Sequence, residues 1–181
     1  MKALTYAAEQ PWAITEAALR GILEIAERRN ESVDAVAAKL GRPLENGHEA
    51  RVRDGVAILS VTGPLFRYAN LFTRVSGATS IEMLARDFNA ALEDPNVRAI
   101  VLDVDPPGGE VAGTNEMAGM IFGARGRKPI VAYVGALAAS AAYWLASAAD
   151  EVVAEESALL GSIGVIATLH DTRARDAKEG V

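Results

Sequence analysis

The sequence predicts an α/β domain with a mainly parallel sheet, preceded by a small helical segment. From residue 80 onward, stretches with apolar residues at helical spacing alternate with short runs of β-branched residues. This alternation is typical of parallel strands joined by right-handed helical crossovers. Half of the 181 residues are hydrophobic and 23% are charged, which indicates a globular chain with a substantial core.

The first 45 residues are predicted to form a helical appendage. Residues Trp12 to Arg29 place apolar side chains at helical spacing. A second short helix, Ser32 to Leu40, is capped by Ser32 and ends before Gly41-Arg42-Pro43. We therefore divide the chain into an appendage, 1–45, and a main domain, 46–181, which we expect to be truncated at its C-terminus.

The main domain is predicted to open with a hairpin. A turn at Asp54-Gly55 leads into a strand from Val56 to Val61. The irregular stretch from Leu65 to Ala78 carries apolar residues that are either loop anchors or a substrate or subunit contact. Ser80 caps the first crossover helix. The later elements, in order, are helix Ile81–Leu92, strand Val97–Val104, helix Glu110–Ala124, strand Ile130–Val134, helix Ala139–Ala149, and strands Glu151–Ala154 and Ile163–Thr168.

Composition excludes several classes of function. The formal net charge of −6 argues against nucleic acid as a partner, since phosphate binding favours a basic surface. The chain has no cysteine, which excludes disulfides, thiolate metal sites and cysteine nucleophiles. With only His48 and His170, a histidine-rich metal site is not expected. No Walker loop or dinucleotide fingerprint occurs, so we expect no cofactor and no metal.

One segment is long and apolar enough to suggest a membrane span. The run from Pro129 to Ala149 carries no charge. We favour a buried strand followed by a buried helix, because β-branched residues give way to small residues at Gly135. Residues 1–12 lack the apolar core of a signal peptide. We therefore expect no transmembrane segment and a cytoplasmic location.

Two turns at the predicted carboxyl ends of neighbouring strands carry the candidate chemistry. Pro106-Pro107-Gly108-Gly109 follows one strand, and Gly135 to Ser140 follows the next. Each turn is predicted to run into a helix, whose first N–H groups have no intrahelical partner. A serine hydroxyl beside free backbone amides forms the core of an acyl-transfer site. One such amide typically lowers the barrier by about 3 kcal/mol.

Each turn taken alone is ordinary. A Pro-Pro-Gly-Gly turn needs no function, and small residues around a serine often begin a helix. Asp103 and Asp105 flank the first turn, and we assign them structural roles rather than paired-carboxylate or metal chemistry. Tyr143 and Trp144 follow Ser140 and are interpreted as core or subunit packing.

Five segments around these turns carry a family resemblance: Asn89 to Asp103, Pro107-Gly108-Gly109, Ala139-Ser140 with Tyr143, Ala148-Ala149-Asp150, and Gly161-Ser162-Ile163-Gly164-Val165. Together they resemble the signal peptide peptidase A family of serine–lysine proteases over about residues 50–170. That family shares its fold with Clp protease and the crotonases, so the resemblance implies a Clp/crotonase-like fold. The N-terminal helices, and Ala69-Asn70-Leu71-Phe72 before Ser76-Gly77, resemble the phage and prophage members, which process capsid proteins.

The resemblance implies roles for four residues. Ser140 matches the nucleophile, and Gly109 and Ala141 match the donors of the oxyanion hole. Ser162 lies in a pocket-lining segment and either orients the base or is a strand-edge hydroxyl bonded to backbone. The resemblance also implies a peptide or protein substrate, such as a signal peptide or a capsid or scaffold protein, and a homo-oligomer.

The general base is the missing part. In the resembled family it is a lysine beyond the Gly161–Val165 segment, and a lysine base must be desolvated to be neutral. None of the four lysines fits, because Lys2 and Lys39 lie in the appendage, Lys128 at the wrong end of the sheet, and Lys178 among charged residues. His170 is a fallback base, but we interpret it as a solvated loop residue. We expect the lysine beyond Val181, and therefore an N-terminal fragment that is inactive on its own.

Three functions stay open on the sequence. The first is a serine endopeptidase domain, for the reasons above. The second is an assembly or scaffold module that keeps the fold with an incomplete site. The third is a crotonase-like acyl-CoA enzyme, for which no adenine or pantetheine pocket can be named.

Overall fold

The computed structural model describes residues 11–27, 50–69 and 77–167. These residues form eleven strands and four helices. The strands are β1 (Trp12–Ile14), β2 (Ala50–Arg53), β3 (Val56–Thr62), β4 (Leu65–Phe66), β5 (Thr79–Ser80), β6 (Ala99–Asp105), β7 (Gly108–Glu110), β8 (Ile130–Val134), β9 (Leu137–Ala139), β10 (Glu151–Ala154) and β11 (Leu159–Gly161). The helices are α1 (Glu16–Glu27), α2 (Ile81–Glu93), α3 (Thr114–Gly123) and α4 (Ala141–Ser147).

A five-stranded sheet, ordered β10-β8-β6-β3-β2, forms the centre of the fold. Its pairings are parallel except for the β2–β3 hairpin. Alternate residues of β6 and β8 are buried, among them Ile100, Leu102 and Ala132. They belong to the same buried apolar cluster as Phe88 of α2 and Ile121 of α3. The predicted α/β class with mainly parallel pairing is confirmed.

Several local predictions are confirmed with their chemistry. Asp54 and Gly55 have φ values of 51° and 78°, so they form the turn of the β2–β3 hairpin. The Ser80 hydroxyl oxygen accepts a hydrogen bond from the Met83 amide at 3.4 Å and so caps α2. Strands β8 and β10 have the predicted bounds.

A second sheet, ordered β1-β7-β4-β5, consists of four strands that the sequence analysis did not predict. Trp12–Ile14 were predicted to begin a helix and instead pair antiparallel with Gly108–Glu110. Glu110 was predicted to begin a helix, which starts only at Thr114. Pairing with neighbouring strands overrides the helical spacing here, because all three residues of β1 are buried. The small glycines let the backbones approach: a Cβ on Gly109 would lie 2.2 Å from the Leu65 carbonyl oxygen.

Two further boundaries were wrong. The helix predicted over residues 139–149 is confined to α4, because Leu137–Ala139 form β9 and pair in parallel with β11. The strand predicted over residues 163–168 is replaced by β11 at 159–161 and a single bridge from Ile166 to Trp12. Helix 32–40, connector 43–49 and residues 70–76 of the irregular stretch lie outside the described residues.

The described part of the appendage packs on the main domain. Trp12, Ile14 and residues of α1 share a buried apolar cluster with Phe66 and Ala78. The Trp12 and Phe66 rings meet edge-to-face with their centroids 5.8 Å apart. The expected division after residue 45 falls outside the described residues and stays a prediction.

The uncharged run 129–149 is divided among β8, β9 and α4, as the strand-then-helix interpretation predicted in outline. Across the described ranges, no helix combines the length and the apolar character needed to cross a bilayer.

Candidate active site

The turns that follow β6 and β8 meet at one edge of the central sheet. The Leu137 amide donates a hydrogen bond to Asp105 Oδ1 at 3.0 Å. The Ala139 amide reaches the Pro106 carbonyl at 3.3 Å. Asp105 therefore has the structural role that we predicted, because its carboxylate ties one turn to the other. These contacts bring the segment that ends in Ser140 next to the one that leads into Gly109.

Ser140 lies at a sharp bend between β9 and α4. Its backbone has φ 54° and ψ −111°, a combination that side-chain-bearing residues rarely adopt. Such a conformation costs about 1–3 kcal/mol and persists only where the surrounding structure imposes it. Two neighbouring elements impose this conformation on Ser140. Before it, Ala139 pairs in parallel with Gly161, and after it α4 begins. A serine on a strained strand-to-helix turn is the geometry of many hydrolase nucleophiles.

The hydrogen bonds of Ser140 connect it to residues 161–164. Its hydroxyl donates to the Gly164 carbonyl at 2.9 Å, and its amide donates to the Gly161 carbonyl at 2.7 Å. The Ser140 side chain does not cap α4, so the Ala141 amide, at the first position of the helix, donates no hydrogen bond to that hydroxyl. Ser162 follows Gly161 directly with φ 53°, and it is exposed.

Gly109 lies at the centre of β7, between β1 and β4. At the two ends of β1, the Thr15 amide donates to the Pro107 carbonyl at 2.9 Å, and the Val111 amide donates to the Pro11 carbonyl at 3.2 Å. Hydrogen-bonded pairs recur at every second residue of an antiparallel ladder, so Ala13 and Gly109 form the pair between these two. The Gly109 amide therefore points at the Ala13 carbonyl. The sequence analysis predicted that this turn runs into a helix whose first amides are free. That prediction is wrong for this turn, because strand β7 follows it.

A cavity of about 400 Å³ opens beside Ser140. Its wall combines β1, α4 and the segment after β11, and it is lined by Ala13, Ser140, Tyr143, Trp144, Ser147, Ile163, Gly164 and Val165. Sequence reasoning assigned Tyr143 and Trp144 to packing, yet both line this cavity. They follow Ser140 by three and four residues, a spacing that places them on the same side of α4 as Ser140. This spacing in the sequence could have indicated that they line the site.

The far end of α4 is fixed by Arg125. Its guanidinium donates hydrogen bonds to the carbonyls of Ser147 at 3.0 Å and Ala148 at 2.8 Å, and also to the Ala149 carbonyl. These are among the last carbonyls of α4 and the turn after it, which lack intrahelical partners. The guanidinium also lies over the Phe122 ring, 4.5 Å from its centroid.

Lys128 lies far from the cavity, as predicted. It precedes β8, whereas Ser140 follows the carboxyl end of that strand. Its ammonium donates to the Ala91 carbonyl at 2.8 Å and to the Asp94 carbonyl at 2.6 Å. Lys2, Lys39, Lys178, His48 and His170 lie outside the described residues. Among the described residues, therefore, no lysine or histidine lines the cavity beside Ser140.

Comparison with known proteins relates this chain to peptidases. It is 38% identical over 116 residues to the head-tail preconnector protein GP5 of Enterobacteria phage P21, covering 64% of this chain and 23% of that protein. It is 36% identical over 131 residues to the capsid assembly protease C of Escherichia phage lambda, covering 72% and 30%. It is 34% identical over 116 residues to Protease 4 of Salmonella typhi, covering 64% and 18%.

The chain thus spans at most 30% of the length of these curated relatives. Among solved structures, an enoyl-CoA hydratase from Mycobacterium avium subsp. paratuberculosis K-10 is similar, with a TM-score of 0.48 and 23% identity over 63% of this chain and 46% of that one. Residues 124–181, which contain Ser140, match Peptidase family S49.

Proposed function

We propose that this chain is the nucleophile-bearing part of a serine endopeptidase. The observation that carries the proposal is the position of Ser140, strained at a strand-to-helix bend and facing the cavity that Ala13 also lines. Ala13 pairs with Gly109, so the strand that contacts the Gly109 amide also borders the cavity that Ser140 lines. This arrangement supports attack by Oγ on a peptide carbonyl whose oxygen is held by backbone amides.

The proposed roles follow from the bonds that must form and break. Ser140 Oγ bonds to the carbonyl carbon while its proton passes to a base. The carbonyl oxygen gains the charge, and the Gly109 and Ala141 amides stabilise it. The tetrahedral intermediate then expels the amine, which takes up the proton, and water later hydrolyses the acyl-enzyme. The base is a lysine from outside the described residues, and Ser162, next to the Gly161 carbonyl, is proposed to orient it.

The substrate is proposed to be a capsid or scaffold protein, or a signal peptide. This rests on the names of two relatives, a capsid assembly protease and Protease 4. We further propose a homo-oligomer that acts in the cytoplasm of a bacterial host. The exposed apolar residues Ile163 and Val165, which line the cavity, support an assembled form.

Labelling with a fluorophosphonate probe tests the nucleophile. We expect Ser140 to be modified, in this chain or in one extended past Val181, and labelling to disappear in Ser140→Ala. The matched control is Ser147→Ala, since Ser147 lines the same cavity but its hydroxyl donates to the Trp144 carbonyl at 2.9 Å. Labelling that survives Ser140→Ala, or that is lost only in Ser147→Ala, contradicts the assignment. Peptide turnover is expected only in the extended chain.

A second candidate is an assembly module without catalysis. The observation that favours it is the cavity itself, whose described lining contains no base. Absence of labelling in both the 181-residue chain and the extended chain would support this alternative over the peptidase.

A further inference from the structure

We propose that strand β1 is a resident ligand of the peptide groove at Ser140, bound in the register of a substrate, and that a peptide substrate must displace it. The interpretation of the groove as a substrate-binding site rests on the proposed peptidase function. The placement of the strand itself rests only on the hydrogen bonds and burial of the described residues.

The groove has two backbone walls, and β1 bonds to both. On one side it pairs with β7 through Ala13 and Gly109. On the other side the Trp12 amide donates to the Ile166 carbonyl at 2.8 Å, and the Ile166 amide donates to the Trp12 carbonyl at 2.7 Å. A segment held on both edges by main-chain bonds is bound as an added strand, a common mode of peptide recognition. A peptide of any origin would meet the same donors and acceptors.

The register of β1 places one carbonyl at the proposed oxyanion donor. Residues 11, 13 and 15 bond toward β7, whereas Trp12 bonds toward Ile166. The Ala13 carbonyl therefore faces the Gly109 amide, and it lies 2.2 Å from the position that a Cβ on Gly108 would take. Ala13 also lines the cavity that contains Ser140. The carbonyl of Ala13 thus occupies the Gly109 amide, which we propose holds the oxygen of the reacting carbonyl.

The side chains of β1 show what kind of peptide the groove accepts. Ala13 belongs to the main buried cluster, and Trp12 and Ile14 belong to the second cluster on the opposite face. A substrate in the same register would present a small residue toward Ser140 and large apolar residues on either side of it. The groove is therefore expected to select an extended segment of the pattern large–small–large, for which Trp12-Ala13-Ile14 is the internal example.

Attachment to the same chain makes β1 a strong competitor. A tethered segment acts at an effective concentration in the millimolar range. A free peptide therefore binds only if it competes successfully with β1 at that concentration or if β1 has been released. While β1 is bound, the Gly109 amide is occupied by the Ala13 carbonyl. Binding of peptide and reaction at Ser140 are therefore both expected to depend on how firmly the strand is held.

A reversible lock on β1 tests this proposal. The chain has no cysteine, so Pro11→Cys with Val111→Cys creates a single possible disulfide. These residues face each other across the β1–β7 ladder, where Cα atoms are about 5.5 Å apart, within the range that a disulfide spans. The control pair is Arg51→Cys with Ile58→Cys, which face each other in the β2–β3 hairpin at the opposite edge of the central sheet.

The readout is the binding of a fluorescent peptide with the sequence of residues 9–16, measured by anisotropy. Oxidation of the groove pair should weaken binding by at least about tenfold, dithiothreitol should restore it, and the control pair should show no redox dependence. Independently, Ala13→Pro removes an amide that bonds to β7 and should tighten peptide binding relative to the unmodified chain. Equal binding by the oxidised and reduced groove pair would overturn the proposal.

Fluorophosphonate labelling of the same samples separates this proposal from the peptidase assignment. We expect slower labelling of Ser140 in the oxidised groove pair than in the reduced one. If Ser140 is labelled in neither state, in this chain and in the chain extended past Val181, the nucleophile assignment fails, and the anisotropy measurement still decides whether β1 occupies a peptide groove.

Discussion

The backbone at Ser140 predicts an unusual response to substitution: glycine should be more stable than alanine at this position. Both Ser140→Gly and Ser140→Ala remove the hydroxyl and its bond to the Gly164 carbonyl. Only glycine adopts φ 54° and ψ −111° without strain, which relieves about 1–3 kcal/mol. Glycine also costs about 0.4–1 kcal/mol through its freer unfolded state. The two ranges leave a glycine variant more stable by about 0–2.6 kcal/mol.

Urea unfolding followed by tryptophan fluorescence measures this difference. Because Ser140 precedes a helix, glycine and alanine also differ there as capping residues. The same two substitutions at Ser80 correct for that effect, since Ser80 caps α2 with an ordinary extended backbone, φ −83° and ψ 122°. The glycine–alanine difference in the free energy of unfolding at Ser140, minus the same difference at Ser80, is the contribution of backbone strain. If the glycine–alanine difference is the same at both positions, Ser140 is not strained and the reasoning fails.

Three other expectations follow from contacts outside the groove. Arg125→Met should lower the free energy of unfolding by about 1–3 kcal/mol, since its charged hydrogen bonds fix the end of α4. The control, Arg127→Met, should lower it by less than about 1 kcal/mol, because the pair of Arg127 with Glu93 is solvent-exposed. Equal losses of both variants in urea unfolding would contradict this. Gly119→Ala should raise stability by about 0.5–1 kcal/mol, because Gly119 lies within α3 with no atom close enough to obstruct a methyl group, and a thermal scan showing a lower Tm would refute it. The Tyr133 hydroxyl donates to Glu155 Oε1 at 2.6 Å, and this bond raises the pKa of Tyr133 above 10.0. The folded state therefore holds this proton more tightly, so the associated stability is present below pH 10 and falls as the pH rises through the folded pKa. Glu155→Gln should lower the Tyr133 pKa in an NMR titration, and an unchanged value would show that the carboxylate is not the cause.

The central sheet was predictable because its signals are local. β8 is a run of apolar residues closed by Gly135, and α2 begins at a serine cap, so both could be recognised from neighbouring residues alone. Ser140 could be singled out because it follows a predicted strand and begins a predicted helix. The resemblance to a peptidase family then gave it a role.

The second sheet was not predictable, because its strands are too short to have a period of their own. Residues 12–14 are a strand only because β7 and Ile166 offer backbone partners on both sides. The glycines of β7 were recognised as a turn, but their use in admitting two neighbouring strands depends on the approach of Leu65 and Ala13. Contacts between residues nearly 100 positions apart leave no trace in a local pattern.

Strand β10 is an edge strand, on which the central sheet can be extended. Among the described residues it is bonded on one side only, to β8, and Val152 and Val153 are exposed. An additional strand, from this chain or another, can dock on that edge by main-chain bonds alone and cover those valines. The nucleophile bend is formed by β9, α4 and β11, so such an extension would enlarge the domain while leaving the geometry at Ser140 in place.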